Sequence, residues 1–63
     1  MKLKDLRKVI NKNQSISLVD SKGHFFCFGK NCEVKCDFDD LEVKNVDAGA
    51  ASYGEYCIYI TVD

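Results

Sequence analysis

One histidine and four cysteines are the residues here whose chemistry stands out: His24, Cys27, Cys32, Cys36 and Cys57. Imidazole and thiolate are the donors zinc prefers, and four of them satisfy its tetrahedral shell. The spacing weighs against a metal. Structural zinc sites draw on two tight pairs, whereas Cys57 stands alone and Cys32 and Cys36 lie four apart on what reads as a strand. Four residues of strand span about 13 Å, too far for one ion with bonds of about 2.3 Å, although on a helix the same two would sit close. No metal and no cofactor are therefore expected; a zinc site, if present, would use His24, Cys27, Cys32 and Cys36. Cys57 falls on the opposite side of its strand from Ile58 and Ile60. A Gly29-Lys30 turn would set Cys27 opposite Cys32, near the ~5.5 Å Cα separation a disulfide tolerates. In a reducing compartment the plainer reading treats Cys27, Cys32 and Cys36 as small buried hydrophobes. Catalysis is not expected, because His24 opens a strand beside a turn with no assured partner, and a Cys–His nucleophile also needs oxyanion donors.

Charge offers a second candidate. Residues 1–30 hold seven basic and two acidic side chains, and residues 31–63 hold two basic and eight acidic. The two halves can compensate each other within one small fold. The functional alternative is a basic face of Lys4, Arg7, Lys8 and Lys12 that meets an acidic partner, a phosphate-bearing ligand such as a nucleotide, or the acidic half of a second copy. A formal net charge of −1 suits neither a general nucleic-acid binder nor a DNA mimic.

The elements that must position these residues follow from periodicity. Leu3, Leu6, Val9 and Ile10 recur at helical spacing while Lys2, Lys4, Asp5, Arg7 and Lys8 face water, so a helix is predicted over residues 2–11, stopped by Asn11-Lys12-Asn13-Gln14. The period then changes to two. Residues 15–19 and 24–28 read as strands joined by Asp20-Ser21-Lys22-Gly23, with Gly at the positive-φ position. Residues 31–38 alternate cleanly and read as a third strand after a Gly29-Lys30 turn, with a short helix over 33–41 as the competing reading. Residues 41–48 carry a bulged strand, 49–52 a loop, and 55–62 the strongest strand of the chain.

At 63 residues and 46% hydrophobic, the chain is one domain, residues 1–63, with a packed core rather than a disordered segment. The expected class is α+β: one N-terminal helix on an antiparallel sheet of four to five strands, mostly a meander. No apolar run approaches the ~18 residues of a membrane span, and the opening residues are amphipathic rather than signal-like, so no membrane contact and a cytoplasmic location are expected. A lone helix covers only one sheet face. With Phe25, Cys27, Val34, Phe38, Ile58 and Ile60 beneath it, Phe26, Phe28, Val19, Tyr59 and Tyr53 are left on the other. That face is either capped by loop 49–54 or is an interface, with Phe26, Phe28, Tyr59 and Tyr53 as partner-binding residues.

The order of the opening Met1–Ile10 helix, the turn Asp20-Ser21-Lys22-Gly23, the segment Glu42-Val43-Lys44-Asn45-Val46 and the closing Ile58-Tyr59-Ile60 resembles small phage and mobile-element proteins of Gram-positive bacteria. The likeness rests on core and turn positions, Leu3, Leu6, Gly23, Val43, Val46 and Tyr59, and implies no catalytic or ligand residue. The cysteines and Ala50-Ala51-Ser52-Tyr53-Gly54 depart from it. What it implies is a compact accessory protein that binds something in the host or in the phage's own machinery, inhibitors of bacterial defence being one such class. The expected function is thus a non-enzymatic binding module, an inhibitor or adaptor acting as a homodimer or on another protein. The alternative is a binder of a small anionic ligand or of zinc.

Overall fold

The computed structural model describes residues 1–50 and 54–63. In chain order it contains α1 (Leu3–Arg7), β1 (Ser15–Val19), β2 (Phe25–Lys30), two 3-10 turns at Asn31–Glu33 and Cys36–Phe38, β3 (Val43–Ala50) and β4 (Tyr56–Val62). The class is α+β, built on a four-stranded sheet in the order β2-β1-β4-β3. Antiparallel pairing joins β1 to β2 and β3 to β4, but β1 and β4 run parallel, Ser15 beside Cys57 through Val19 beside Thr61. This corrects the antiparallel meander expected from connection length. A parallel pair needs a long crossover, and the chain supplies one by carrying residues 31–42 over one face of the sheet from β2 at one edge to β3 at the other. Central parallel strands are buried on both faces. Accordingly Ile16, Ser17, Leu18 and Val19 are all buried, while β2 and β3 are exposed along most of their length.

The first hairpin forms as its turn residues dictate. Gly23 takes φ +86°, and the Asp20 carboxylate accepts hydrogen bonds from the backbone N–H of Lys22 and His24, both at 2.9 Å. The second expected hairpin is absent, which corrects both the Gly29-Lys30 turn and the strand at 31–38. Beyond Lys30, which pairs with Ser15, the Asn31 N–H bonds the Gln14 carbonyl at 2.8 Å and the Cys32 N–H bonds the Lys12 carbonyl at 3.0 Å. The chain thus follows the loop that precedes β1 instead of turning back. Residues 33–41 do not form one helix either.

Helix α1 is shorter than the predicted 2–11. Its first donors are met from the crossover: the Leu3 N–H bonds the Leu41 carbonyl at 2.9 Å and the Lys4 N–H bonds the Asp39 carbonyl at 3.0 Å. After Arg7 the bonds tighten to three-residue spacing, Val9 to Leu6 and Ile10 to Arg7, which swings Val9 out to 80% exposure although its spacing had suggested burial.

Leu3, Ile16, Leu18, Val34, Ile60 and Val62 form the core, with Leu6, Ile10, Cys27, Phe38, Leu41, Val43 and Ile58 packed around it. All of this lies on one face of the sheet, because α1, the stretch after it and the crossover residues cover that face together. The β1–β2 register shifts between Leu18 and Val19, so Cys27 pairs with Leu18 and Phe25, not Phe26, pairs with Val19. The bulge exchanges the two phenylalanines. Phe26 packs its ring edge-on to Phe38, centroids 5.3 Å apart, and Phe25 moves to the opposite face. The bulge expected in the 41–48 segment is present as a register shift between Val43 and Asn45.

Candidate functional site

Two surfaces concentrate the residues singled out above. The first is a cleft of about 310 Å³ between α1 and the crossover, lined by Lys4, Arg7, Lys8, Asn31, Cys32, Cys36 and Asp39. Helical spacing puts the three cations on one side; the two 3-10 turns bring the thiols to the other. The structure therefore gathers Lys4, Arg7 and Lys8 as the sequence suggests, but it assigns Arg7 a different task. Arg7 Nε donates to Asn31 Oδ1 at 3.0 Å, Nη1 to Asp39 Oδ1 at 2.8 Å, and Nη2 to the carbonyls of Asn31 and Val34 at 2.7 and 2.8 Å. A guanidinium with this many acceptors in place is a brace of the crossover and has little left for an anion. The buried Asn31 returns the favour: its Nδ2 donates to the Arg7 and Ile10 carbonyls at 2.9 and 3.0 Å, a second donor for Arg7, whose carbonyl also takes the Ile10 N–H, and one for Ile10 beyond the end of the short helix.

The Arg7–Asp39 pair and the contacts of Lys2 and the Met1 ammonium with Glu42 join the basic half of the chain to its acidic half. Compensation within the fold is thus visible. The Glu42 carboxyl is held below its ordinary value, first by the hydrogen bond from the Met1 ammonium and then by that ammonium's charge, with Lys2 and Lys44 adding to it. Asp20 is lowered mainly by the hydrogen bond from the His24 backbone. His24 itself is exposed, its Nδ1 3.7 Å from Asp20.

The cysteines scatter. Cys32 and Cys36 are exposed, Cys27 is half-buried beside the core, and Cys57 is buried with its Sγ 3.3 Å from Ser17 Oγ on the other face. Cys27 lies opposite Leu18 rather than Cys32, so the hairpin register that would have brought those two thiols together does not exist. His24, Cys27, Cys32 and Cys36 are not brought together either, and among the described residues no group of three or more His, Cys, Asp or Glu side chains could share a metal.

The second surface is the sheet face opposite the core. Register places Phe28, Ser17, Tyr59 and Asp47 in one row across the four strands, with Phe25, Val19 and Thr61 in the next. Phe25 and Tyr59 meet edge to face with centroids 5.9 Å apart, and Phe25 and Phe28 are 65% and 55% exposed. Tyr59 also leans over Gly49, where an added Cβ would come within 3.6 Å of its ring. Of the four residues expected to bind a partner, Phe28 and Tyr59 share this face. Phe26 does not, for the bulge turns it toward Phe38 and puts Phe25 in its stead. Tyr53 lies outside the described residues. No local signal in the sequence marks Phe25 over Phe26, or marks Asn31 and Asp39 as walls of the cleft.

None of the helices among the described residues is long and apolar enough to cross a membrane. Comparison of the chain with protein-family models, with curated proteins and with solved structures finds no match.

Proposed function

We propose that this chain is a non-enzymatic protein-binding module that docks through the open face of its sheet, in the first instance onto a second copy of itself. The observation that carries the reading is the Phe25–Tyr59 pair, set beside Phe28 on the face that the helix and the crossover leave alone. Large aromatics with one polar handle are the side chains that anchor interfaces.

Size and charge favour a second copy. The molecule is a slab of 29 × 25 × 16 Å, so its broad face spans roughly 700 Å², close to the ~800 Å² each partner contributes to a standard interface. Lys30 sits on the β2 edge in register with Ser15, and Asp47 sits on the β3 edge in register with Tyr59. A two-fold axis along the strands lays β2 of one copy over β3 of the other, bringing those opposite charges toward each other. The resemblance of the core and turn positions to small phage proteins supports an accessory role, as an inhibitor or adaptor of a host or phage protein, with anti-defence activity as one form.

The test is sedimentation of the Phe25→Asp/Tyr59→Ser variant beside the wild type. The reading expects a wild-type dimer and a folded monomeric variant. A wild type that stays monomeric at high concentration overturns self-docking, and so does a variant that remains dimeric. A second reading is favoured by the cleft, where Lys4 and Lys8 flank a concavity suited to a small anionic ligand.

A further inference from the structure

The cleft brings together two kinds of side chain that neither surface chemistry nor core packing requires to be neighbours. Cys32 and Cys36, the two exposed thiols, line it with Lys4 and Lys8. The other two thiols are withdrawn, Cys27 beside the core and Cys57 in full burial. Lys4 has no carboxylate partner among the described residues, and Lys8 reaches only Asp5, at 4.0 Å with both side chains in solvent. Asp39, the carboxylate in the wall, is occupied by Arg7. What the cleft offers a visitor is two accessible sulfurs and two uncommitted positive charges.

We propose that this cleft is a site of reversible S-thiolation, in which Cys32 or Cys36 forms a mixed disulfide with an anionic low-molecular-weight thiol of about tripeptide size. The co-reactant is a soluble disulfide bearing carboxylates. The cleft thiol gives its proton to solvent, and its thiolate attacks one sulfur of that disulfide. The protein–sulfur bond forms as the external S–S bond breaks, and the departing thiolate leaves with the electron pair and takes up a proton. One disulfide is consumed and one is made, so no further oxidant enters. Lys4 and Lys8 offset the repulsion between the attacking thiolate and the incoming carboxylates, and they draw the anion to the cleft. A cleft of about 310 Å³ accommodates one such group, so a single adduct is expected. The inference is independent of docking by the sheet face.

Incubating the reduced full chain with glutathione disulfide, and separately with neutral bis(2-hydroxyethyl) disulfide, tests it by intact mass and peptide mapping. The expected result is one glutathionyl adduct, on Cys32 or Cys36. After normalisation to the same two reagents on N-acetylcysteine, the anionic disulfide should react about three- to tenfold faster, the size of effect two partly screened charges produce. Lys4→Gln/Lys8→Gln, whose side chains are exposed, should fold and lose that preference, as should the wild type in about 0.5 M salt. Adducts forming as fast on Cys27 or Cys57 overturn the proposal, as does an anionic preference that is absent from the wild type or survives in the lysine variant.

Discussion

The Arg7 guanidinium and the Asn31 carboxamide each bind the other's backbone: Arg7 Nη2 donates to the Asn31 carbonyl at 2.7 Å, and Asn31 Nδ2 donates to the Arg7 carbonyl at 2.9 Å. The link ties α1 to the start of the crossover, 24 residues away. Because the fork geometry matters more than the charge, Arg7→Lys should lose about 1–3 kcal/mol in urea unfolding, nearly as much as Arg7→Met. Asn31→Ala should cost about 1–3 kcal/mol, since it takes the acceptor from Arg7 Nε and the Asn31 donor from the Ile10 carbonyl, while the Arg7 carbonyl keeps the Ile10 N–H. An Arg7→Lys variant of wild-type stability would show that charge alone holds the crossover.

The depressed Glu42 carboxyl makes a signed prediction about acid. A group whose folded value lies below its unfolded one stabilises the fold fully above the unfolded value, near 4.5, and loses that contribution as pH falls through the folded value. The Tm difference between wild type and Glu42→Gln should therefore be positive and steady between about pH 5.5 and 7, where carboxylate and ammonium are both charged, and shrink as the pH drops below about 4.5. A difference that grows on acidification would contradict the Met1–Glu42 contact.

The bulge in β2 predicts opposite behaviour from adjacent residues. Phe26→Ala removes the contact with Phe38 at the margin of the core and should cost about 1–3 kcal/mol, discounted from full burial because Phe26 is 42% exposed. Phe25→Ala gives up only the edge contact of an exposed ring with the half-buried Tyr59 and should cost less stability than Phe26→Ala while weakening self-association. Melting curves that reverse this order would place the bulge elsewhere.

Thiol alkylation under native conditions should proceed in the order of burial: Cys32 and Cys36 first, Cys27 later, Cys57 only at the rate of unfolding. Quantifying iodoacetamide labels by peptide mapping checks this directly. A chelator is expected to leave the circular-dichroism spectrum unchanged, since Leu3, Ile16, Leu18, Ile60 and their neighbours bury an apolar core. Collapse of the spectrum on adding chelator would refute that.

Local features of the fold were legible and distant ones were not. Asp20-Ser21-Lys22-Gly23 states its own turn, because the Asp side chain and the Gly backbone act within four residues. The alternation of Tyr56 to Val62 likewise states a strand. Cys32, Val34, Cys36 and Phe38 alternate just as well, yet this stretch forms two 3-10 turns with Val34 between them, because the N–H groups of Asn31 and Cys32 are claimed by carbonyls of the 11–14 loop. Nothing between residues 15 and 57 announces that those two positions pair in parallel. Of the candidate sites, the cation cluster was legible from helical spacing. The commitment of Arg7 to Asn31, Val34 and Asp39 was not, since all three partners lie more than 20 residues away.

The position of β4 between β1 and β3 also sets the order in which the chain can organise itself during synthesis. β4 leaves the ribosome after β1, β2 and β3, yet it is the strand against which both β1 and β3 lay their ladders. Until it emerges, the first hairpin has only α1 and the crossover to shelter Ile16 and Leu18, and the side of β1 that will receive β4 remains an unpaired template. The sheet is then completed in one step by closing a loop of about forty residues, the costly non-local kind of contact. Nascent chains arrested before Tyr56 should therefore be protease-sensitive, and resistance should arise abruptly once β4 is free.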